Sequence, residues 1–241
     1  SISTTPVITS VTDNAGNTAT PVASGSETND ATPTLSGTAD ANSIVTIFDG
    51  GTQIAVVTAD GTGAWSFTPE TALVEGPHAF TVQATDPQGN LSLVSAPWSV
   101  VVDLTAPTVP TLDTVSDNVP GGVTGNLTSG QATNDNTPTI SGTGQAGSTI
   151  YIMNNGTQLG TTTVDVNGNW SFTPTTPLDD GSYSLRAYAT DAAGNASANS
   201  SVFAFTVDTA GPGVPVVTSV IDDVAPTTGA LTSGNSTNDA R

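Results

Sequence analysis

The stretch TNDATPTLSGT at Thr28–Thr38 decides the fold, because it comes back 105 positions later as TNDNTPTISGT at Thr133–Thr143. The stretches WSFTP at Trp65–Pro69 and ATDPQGN at Ala84–Asn90 return at the same offset, as WSFTP and ATDAAGN. Self-similarity at one fixed spacing is the sequence signature of a repeat protein. The chain therefore contains at least two copies of one unit.

The spacing of the copies predicts the domain organisation. A third copy begins at Pro215 and is cut off at Thr237-Asn238-Asp239. Because this fragment lacks most of its strands, we expect it to be loosely structured on its own. A shifted frame, in which each unit begins nearer Thr28, fits the repeat as well. In the frame that we adopt, the two complete domains are 1–103 and 104–208, and 209–241 is the linker, first strand and A–B loop of a truncated third.

Each copy shows the period-two alternation of apolar and polar residues that indicates β-strands, bounded by turn residues. Seven short strands with turns every eight to twelve residues, and no helical period, predict an all-β fold of seven-stranded Ig-like Greek-key β-sandwiches in a linear array. In the first copy, strands A to G are predicted at Val7–Val11, Thr34–Gly37, Ile44–Phe48, Gln53–Thr58, Trp65–Thr68, His78–Thr85 and Trp98–Val102.

The composition excludes several classes of partner. The formal net charge is −19, from 21 acidic residues against Arg186 and Arg241, and the chain has no lysine. Nucleic acid and anionic membranes both attract Lys and Arg, so neither is an expected partner. No apolar run is long enough to insert in a membrane. Low charge density with many Gly and Pro residues would also suit a disordered chain, but 35% hydrophobic residues in β-branched runs favour folding.

Two further absences bear on the parent protein. The chain has no cysteine, so no disulfide stabilises it and the redox compartment stays open. Its start, Ser1–Thr5, lacks the charged and apolar regions of a signal peptide. We therefore expect an internal part of a longer protein.

Three motifs recur in a fixed order: Gly-Xaa-Trp-Ser-Phe-Thr-Pro, then Ala-Thr-Asp-Xaa-Xaa-Gly-Asn, then Val-Asp-Xaa-Xaa-Xaa-Pro at Val102–Pro107 and its copy. This set resembles the bacterial Ig-like repeats of giant adhesins and biofilm-associated proteins that are exported by type I secretion. The resemblance implies a secreted or cell-surface location and Ca²⁺ binding after export. It departs from antibody-type Ig domains, which carry a disulfide and a Trp in strand C.

The acidic residues and asparagines gather in loops rather than strands. In a sandwich of this topology the B–C, D–E and F–G loops lie at the pole where the chain enters, which we call the N-terminal pole. The A–B, C–D and E–F loops lie at the opposite, C-terminal pole. Asp103, at the end of strand G, then lies at the joint between the two acidic poles, and Asp208 lies at the next joint.

Clustered oxygen ligands without His or Cys suit Ca²⁺, whereas Zn²⁺ is disfavoured because Met153 and His78 are the only soft or imidazole ligands. The alternative is that these residues only form Asx-turns and keep the loops soluble. The candidate calcium ligands are Asp13, Asn29, Asp30, Asp86, Asn90, Asp103, Asp117, Asn134, Asp135, Asp165, Asn167, Asp191, Asn195, Asp208 and Asp222.

No catalytic site is expected. The pair Glu70 and Glu75 does not recur in the second copy, and Asp222-Asp223 matches the A–B loop acids of the first. His78 is replaced by Tyr183 in the second copy, which favours packing over catalysis. The repeated tryptophans Trp65 and Trp170, and Trp98 with its counterpart Phe203, are predicted to be structural rather than a sugar-binding platform.

The leading functional hypothesis is mechanical: monomeric spacer repeats that contact only neighbouring repeats and hold an adhesive tip, with its host or biofilm ligand, away from the cell. A second hypothesis is that the repeats themselves bind a host glycan or protein receptor. That reading predicts exposed aromatics or insertions in one copy only. A third reads them as accessory modules of a secreted hydrolase.

Overall fold

The computed structural model describes residues 4–16, 18–226 and 228–237, and it confirms an all-β fold of tandem Ig-like sandwiches. The cut-off at Thr237-Asn238-Asp239 and the terminal Arg241 fall partly or wholly outside the described residues. No helix that could cross a membrane is found in the described part of the chain. Strands of the first repeat are β1 Val7–Asp13, β2 Thr20–Pro21, β3 Ser26–Thr28, β4 Thr34–Thr38, β5 Ile44–Asp49, β6 Thr52–Thr58, β7 Ala64–Phe67, β8 Gly76–Thr85 and β9 Trp98–Val102.

The second repeat has the same series of strands. Its strands are β10 Thr114–Asp117, β11 Gly125–Asn126, β12 Ala132–Thr133, β13 Thr139–Thr143, β14 Thr149–Asn154, β15 Thr157–Thr163, β16 Asn169–Phe172, β17 Gly181–Thr190 and β18 Phe203–Val207.

Two sheets form each sandwich. In the first repeat they have the strand orders β2-β1-β4-β7 and β3-β9-β8-β5-β6, and the second repeat has β11-β10-β13-β16 and β12-β18-β17-β14-β15. Strands A, B, C, E, F and G correspond to β1, β4, β5, β7, β8 and β9. The fourth predicted strand, β6, pairs with β5, so it lies at the edge of the sheet that contains strands C, F and G. Two short segments, β2 and β3, add to the seven strands, and β3 runs parallel to β9.

The TPTLSGT motif forms β4 because its residues alternate between the two faces of the sheet. Leu35 points into the core and is fully buried, while Gly37 leaves room for the ring of Trp65 on the neighbouring strand. An added Cβ at Gly37 would overlap both this ring and the carbonyl of Val7. Gly142 meets Trp170 in the same way in the second repeat. Glycine and tryptophan therefore recur together, because the tryptophan ring occupies the space that a side chain at the glycine position would need.

Each sandwich has its own hydrophobic core. Trp65 and Trp170 are 4% and 3% exposed, which confirms their structural role. Burial of an aliphatic or aromatic side chain stabilises a fold by about 1.5–3 kcal/mol, and each core holds about ten such groups. The first core is built on Val11, Leu35, Val45, Ile47, Phe80, Val82 and Val100, and the second on Val115, Ile140, Ile150, Ile152, Leu185, Phe205 and Val207.

Residues after Asp208 form a separate compact unit. Its described part contains one hairpin, β19 Val220–Asp222 with β20 Gly229–Leu231. The pairing of Asp222 with Gly229 matches the pairing of Asp117 with Gly125 in the second repeat. The third copy therefore repeats the first hairpin of the other two.

Candidate functional site

The C-terminal pole of the first repeat is organised around two aspartates of the A–B loop. The Thr28 hydroxyl donates a hydrogen bond to Asp13 Oδ2 at 2.6 Å and accepts one from the Asp30 backbone N–H at 3.1 Å. Asp30, which is 3% exposed, accepts hydrogen bonds from the N–H groups of Asn14 and Thr32, both at 2.8 Å. The TND motif therefore folds as a compact network in which the carboxylates fix the loop.

The second repeat has the same network. The Thr133 hydroxyl donates to Asp117, and the N–H groups of Thr137 and Asn118 donate to Asp135 at 2.8 Å and 3.2 Å. Asp117 and Asp135 are both buried. In the third copy Asp222 accepts from Val224 N–H at 3.1 Å, as Asp117 does from Val119 at 2.8 Å.

One predicted ligand at this pole has an unsatisfied oxygen. Asn134 donates from Nδ2 to the Pro120 carbonyl at 3.2 Å, but its Oδ1 is buried and has no hydrogen-bond partner. Buried polar atoms without a partner are uncommon and call for an explanation, which a bound ion or water can supply. The Asn134 amide is therefore the predicted ligand whose side-chain oxygen is best suited to receive a cation.

Asp103 connects the first sandwich to the linker. Its backbone N–H donates to the Thr28 carbonyl at 3.0 Å, so the end of β9 stays beside the A–B loop. Its Oδ1 accepts from Thr105 N–H at 3.0 Å, and the Thr105 hydroxyl donates to Glu75 Oε1 at 2.8 Å. These contacts fix the direction in which the chain leaves the first repeat. Asp208 makes the equivalent backbone contact, to Thr133, at 2.9 Å.

The F–G loop of the second repeat reaches back to this linker. Asn195 Nδ2 donates to the Asp103 carbonyl at 2.8 Å, across 92 positions of sequence. The same side chain is held by Asp191, whose Oδ2 accepts from Asn195 Nδ2 at 3.0 Å and whose Oδ1 accepts from Asn195 N–H at 2.8 Å. Gly194 lies against Asn29, since a Cβ at this glycine would be 3.5 Å from Asn29 Nδ2. Four predicted residues thus meet at the joint between the repeats.

The first repeat has the same F–G loop, but no other repeat among the described residues contacts it. Asn90 donates to Asp86 from its backbone at 2.8 Å and from Nδ2 at 2.7 Å, and the Asn90 side chain is the main cause of a lowered Asp86 pKa. Gln88 is exposed in this loop, whereas its counterpart Ala193 is 8% exposed. The two loops have the same internal structure and differ in what covers them.

Other predicted ligands lie apart from the joint contact. Asp165 and Asn167 form the turn before β16, where Asp165 Oδ1 accepts from the N–H groups of Asn167 at 2.8 Å and Asn169 at 2.9 Å. Among the described residues there is no group of three or more His, Cys, Asp or Glu side chains placed to hold a metal. The Asx-turn role is therefore observed for many of these aspartates, and a cation would need carbonyl and amide oxygens as well.

One buried polar pair was not expected from the sequence. His78 Nδ1 lies 2.6 Å from Asp49 Oδ2, and His78 Nε2 lies 2.8 Å from the Val74 carbonyl. Both neighbours carry acceptor oxygens, a geometry that suits a protonated ring donating from both nitrogens. Burial of the ring opposes its charging, but the hydrogen bonds to Val74 and Asp49 outweigh burial and raise the His78 pKa. In the second repeat Tyr183 donates to the Asp179 carbonyl at 2.9 Å, and Asn154 replaces Asp49.

Two segments of the chain match the same protein family. Residues 22–104 and 108–209 each match the family described as the bacterial Ig-like domain. No curated protein matches the chain.

Several solved structures are similar to the chain. The fibronectin(III)-like modules of Clostridium thermocellum CbhA are 17% identical, with 82% of this chain and 93% of that chain covered and a TM-score of 0.45. The BSP domain of a biofilm-associated protein is 23% identical, with 77% and 29% covered and a TM-score of 0.30. A tetra-tandem repeat from the extending region of a large adhesion protein is 24% identical, with 86% and 57% covered and a TM-score of 0.31. The chain thus spans less than two thirds of the length of the last two.

Proposed function

The chain belongs to the bacterial Ig-like domain family, and from this premise we propose that its repeats are spacers of a large, type I-secreted bacterial surface adhesin. In this proposal Ca²⁺ stiffens the joints near Asp103 and Asp208, and the array carries an adhesive tip for cell adhesion or biofilm formation. The adhesin part rests on the motif resemblance. The proposal gives the repeats no catalytic role and treats the chain as a monomer.

The observation that carries the spacer role is the hydrogen bond from Asn195 to the Asp103 carbonyl. A flexible tether between two domains needs no such contact. Here the donor is held by Asp191 and the acceptor by the backbone contact to Thr28, so both sides of the joint are fixed before they meet. Repeats that contact only their neighbours build a quasi-one-dimensional array.

The calcium part is supported by charge and by the available oxygens. A chain of net charge −19 with acidic poles repels itself at each joint, and a divalent cation lowers this repulsion. Ca²⁺ accepts carboxylate, amide and backbone carbonyl oxygens together in flexible geometry. The buried, unpartnered Oδ1 of Asn134 next to Asp135 is an oxygen of this kind.

Calcium titration by calorimetry on the 241-residue chain, together with small-angle scattering, tests this proposal. We expect Ca²⁺ to bind with a defined stoichiometry and the mean shape to be extended in CaCl₂ and more bent in EDTA. Asp103→Asn and Asn134→Ala should each reduce the number of bound ions. Gln158→Ala, on the exposed edge strand β15 and outside the candidate calcium ligands, is the matched control. Heats of dilution only, with one scattering curve in both buffers, would overturn the calcium part.

A compact shape in both buffers would overturn the spacer role itself. Sedimentation velocity on the same samples checks the expected monomer. The shape and the ion count therefore test the two parts of the proposal separately.

A further inference from the structure

The first repeat has an apolar groove between the edge strand β6 and the E–F loop that follows β7. The groove, which we call the β6 groove, has a volume of about 760 Å³. Its apolar lining includes Ile54, Val56, Phe67, Leu73 and Val74, and its polar lining includes Glu70 and the pair Asp49 and His78. Ile54, Phe67 and Leu73 also pack against the core, so the floor of the groove is continuous with the hydrophobic interior. The E–F loop is held in place because Leu73 N–H donates to the Ala31 carbonyl at 2.8 Å.

The equivalent groove of the second repeat is about half as large, at about 350 Å³. One difference between the two edge strands lies at Gly160. Here the ring of Phe172 lies directly over the backbone, and an added Cβ would overlap this ring. The first repeat has Ala55 at the matching position, and its Cβ fills the place that the Phe172 ring takes in the second repeat.

Strand β6 lies at the edge of its sheet. Among the described residues it pairs only with β5, and the register shift between Ile47 and Phe48 leaves Ile54 without a paired residue. Proteins usually guard such edges with Lys, Pro or short strands, because the free N–H and C=O groups accept another strand. β6 has neither Lys nor Pro, and Val56 is 52% exposed. Its apolar run Ile54-Ala55-Val56-Val57 is matched by the more polar Leu159-Gly160-Thr161-Thr162 in the second repeat.

Charge indicates which strand would pair there. Glu70 is exposed on the rim of the groove, and its counterpart in the second repeat is the neutral Thr175. The second groove carries its own acid, Asp179, at the position of Val74. The chain as a whole carries −19 and has no lysine, so a second copy is repelled while a basic segment is attracted. Addition of an extended peptide to a free sheet edge is a common recognition mode, in which main-chain hydrogen bonds give affinity and side-chain pockets give specificity.

We propose that the β6 groove binds an extended peptide segment of a partner protein in which apolar residues alternate with Lys or Arg. The peptide pairs with β6, places an apolar side chain on Phe67 and Leu73, and brings a basic side chain to Glu70. The site belongs to the first repeat, and its lining contains none of the candidate calcium ligands. It adds a receptor-like role to a chain whose other features are those of a spacer.

Chemical-shift mapping on the ¹⁵N-labelled 241-residue chain tests this site, with the peptide Lys-Val-Lys-Val-Lys-Val-Lys as the probe and Glu-Val-Glu-Val-Glu-Val-Glu as its matched control. We expect the basic probe to shift the resonances of residues 52–58 and 67–74 and to leave the second repeat unchanged. Equal binding of both probes, or shifts spread over both repeats, would overturn the proposal. A sedimentation experiment that shows the chain dimerising through β6 would do the same, since the occupant would then be a second copy.

Reciprocal variants locate the cause. Ala55→Gly should let Phe67 close over β6 and remove the binding, whereas Gly160→Ala should open the second groove and create shifts at residues 157–163. Glu70→Gln should weaken binding by about two- to fivefold, the range for one exposed ion pair. Val56→Lys places a charge on an exposed edge position and should abolish binding without unfolding. Unchanged binding in Ala55→Gly and Val56→Lys would contradict the proposal even if Gly160→Ala fails to fold.

Discussion

The two repeats share a scaffold, yet they differ in a buried polar pair and in one residue of the edge strand. Both have the glycine that receives a tryptophan, and both have the Asp-Thr-Asp network of the A–B loop. They differ at the His78–Asp49 pair, which becomes Tyr183 and Asn154, and at Ala55, which becomes Gly160. The comparison teaches that the shared motifs hold the fold, while the first repeat differs by a contact between His78 and Asp49 and by a larger groove.

The largest effect is expected from the glycine under the tryptophan. Gly37→Ala places a Cβ against Trp65 and the Val7 carbonyl, and overpacking of this kind costs about 1–3 kcal/mol or more. Calorimetry should show a large drop in the unfolding temperature of the first repeat, with the second transition unchanged. Gly61→Ala is the control, because a Cβ there meets nothing within 4 Å. Equal stability of the two variants would contradict a shared, tightly packed scaffold.

The aspartate network should contribute equally in both repeats. Asp30→Ala leaves the N–H groups of Asn14 and Thr32 without their acceptor, and Asp135→Ala does the same to Asn118 and Thr137. Each change should cost about 1–3 kcal/mol of unfolding free energy, the penalty for unsatisfied buried groups. Denaturant unfolding of the chain measures both. If only one variant loses stability, the networks are not equivalent.

A pH effect should separate the repeats. The folded-state pKa of His78 is raised above its ordinary value of 6.5, so the stability that the protonated ring contributes is present below that value. It is lost as pH rises through the folded-state pKa. Between pH 6 and pH 9 we expect the unfolding temperature of the first repeat to fall relative to that of the second.

The pair from the second repeat supplies the control for this pH effect. The double variant Asp49→Asn, His78→Tyr should make the unfolding temperature of the first repeat independent of pH in this range. A pH dependence that survives in the double variant would show that another group is responsible.

The smallest effect is expected at the joint. Asn195→Ala removes the hydrogen bond to the Asp103 carbonyl and its own contacts with Asp191, which costs about 0.5–1.5 kcal/mol per hydrogen bond. Backbone ¹⁵N relaxation should show the two sandwiches reorienting more independently. Asn90→Ala removes the equivalent loop contact in the first repeat, where no joint is described. The same relaxation change in both variants would rule out the joint as its origin.

Much of the fold could be predicted from local sequence. Period-two alternation located the strands, and the fixed offset located the repeats, because both depend on neighbours along the chain. The tryptophans were predicted to be structural because they recur within a fixed motif, and Trp65 and Trp170 are buried. The parallel pairing of β3 with β9 was not predicted, because it joins segments that are distant in the sequence.

The candidate site was predicted in outline only. Topology sorts the loops to two poles, so the sequence identified Asp103, Asn29, Asp191 and Asn195 as residues of the joint. It could not indicate that an asparagine side chain bonds a backbone carbonyl there, since the relative position of two sandwiches depends on the linker. The calcium ligands remain a prediction.

The sequence by itself determined the repeat, the strand pattern and the placement of acids in loops, because each follows from residue type and spacing. Only the tertiary structure decided three things. These are the contact between His78 and Asp49, the ring of Phe172 over Gly160, and the bond from Asn195 to the Asp103 carbonyl. Each depends on groups that are remote in sequence and become neighbours only when two sheets or two domains pack.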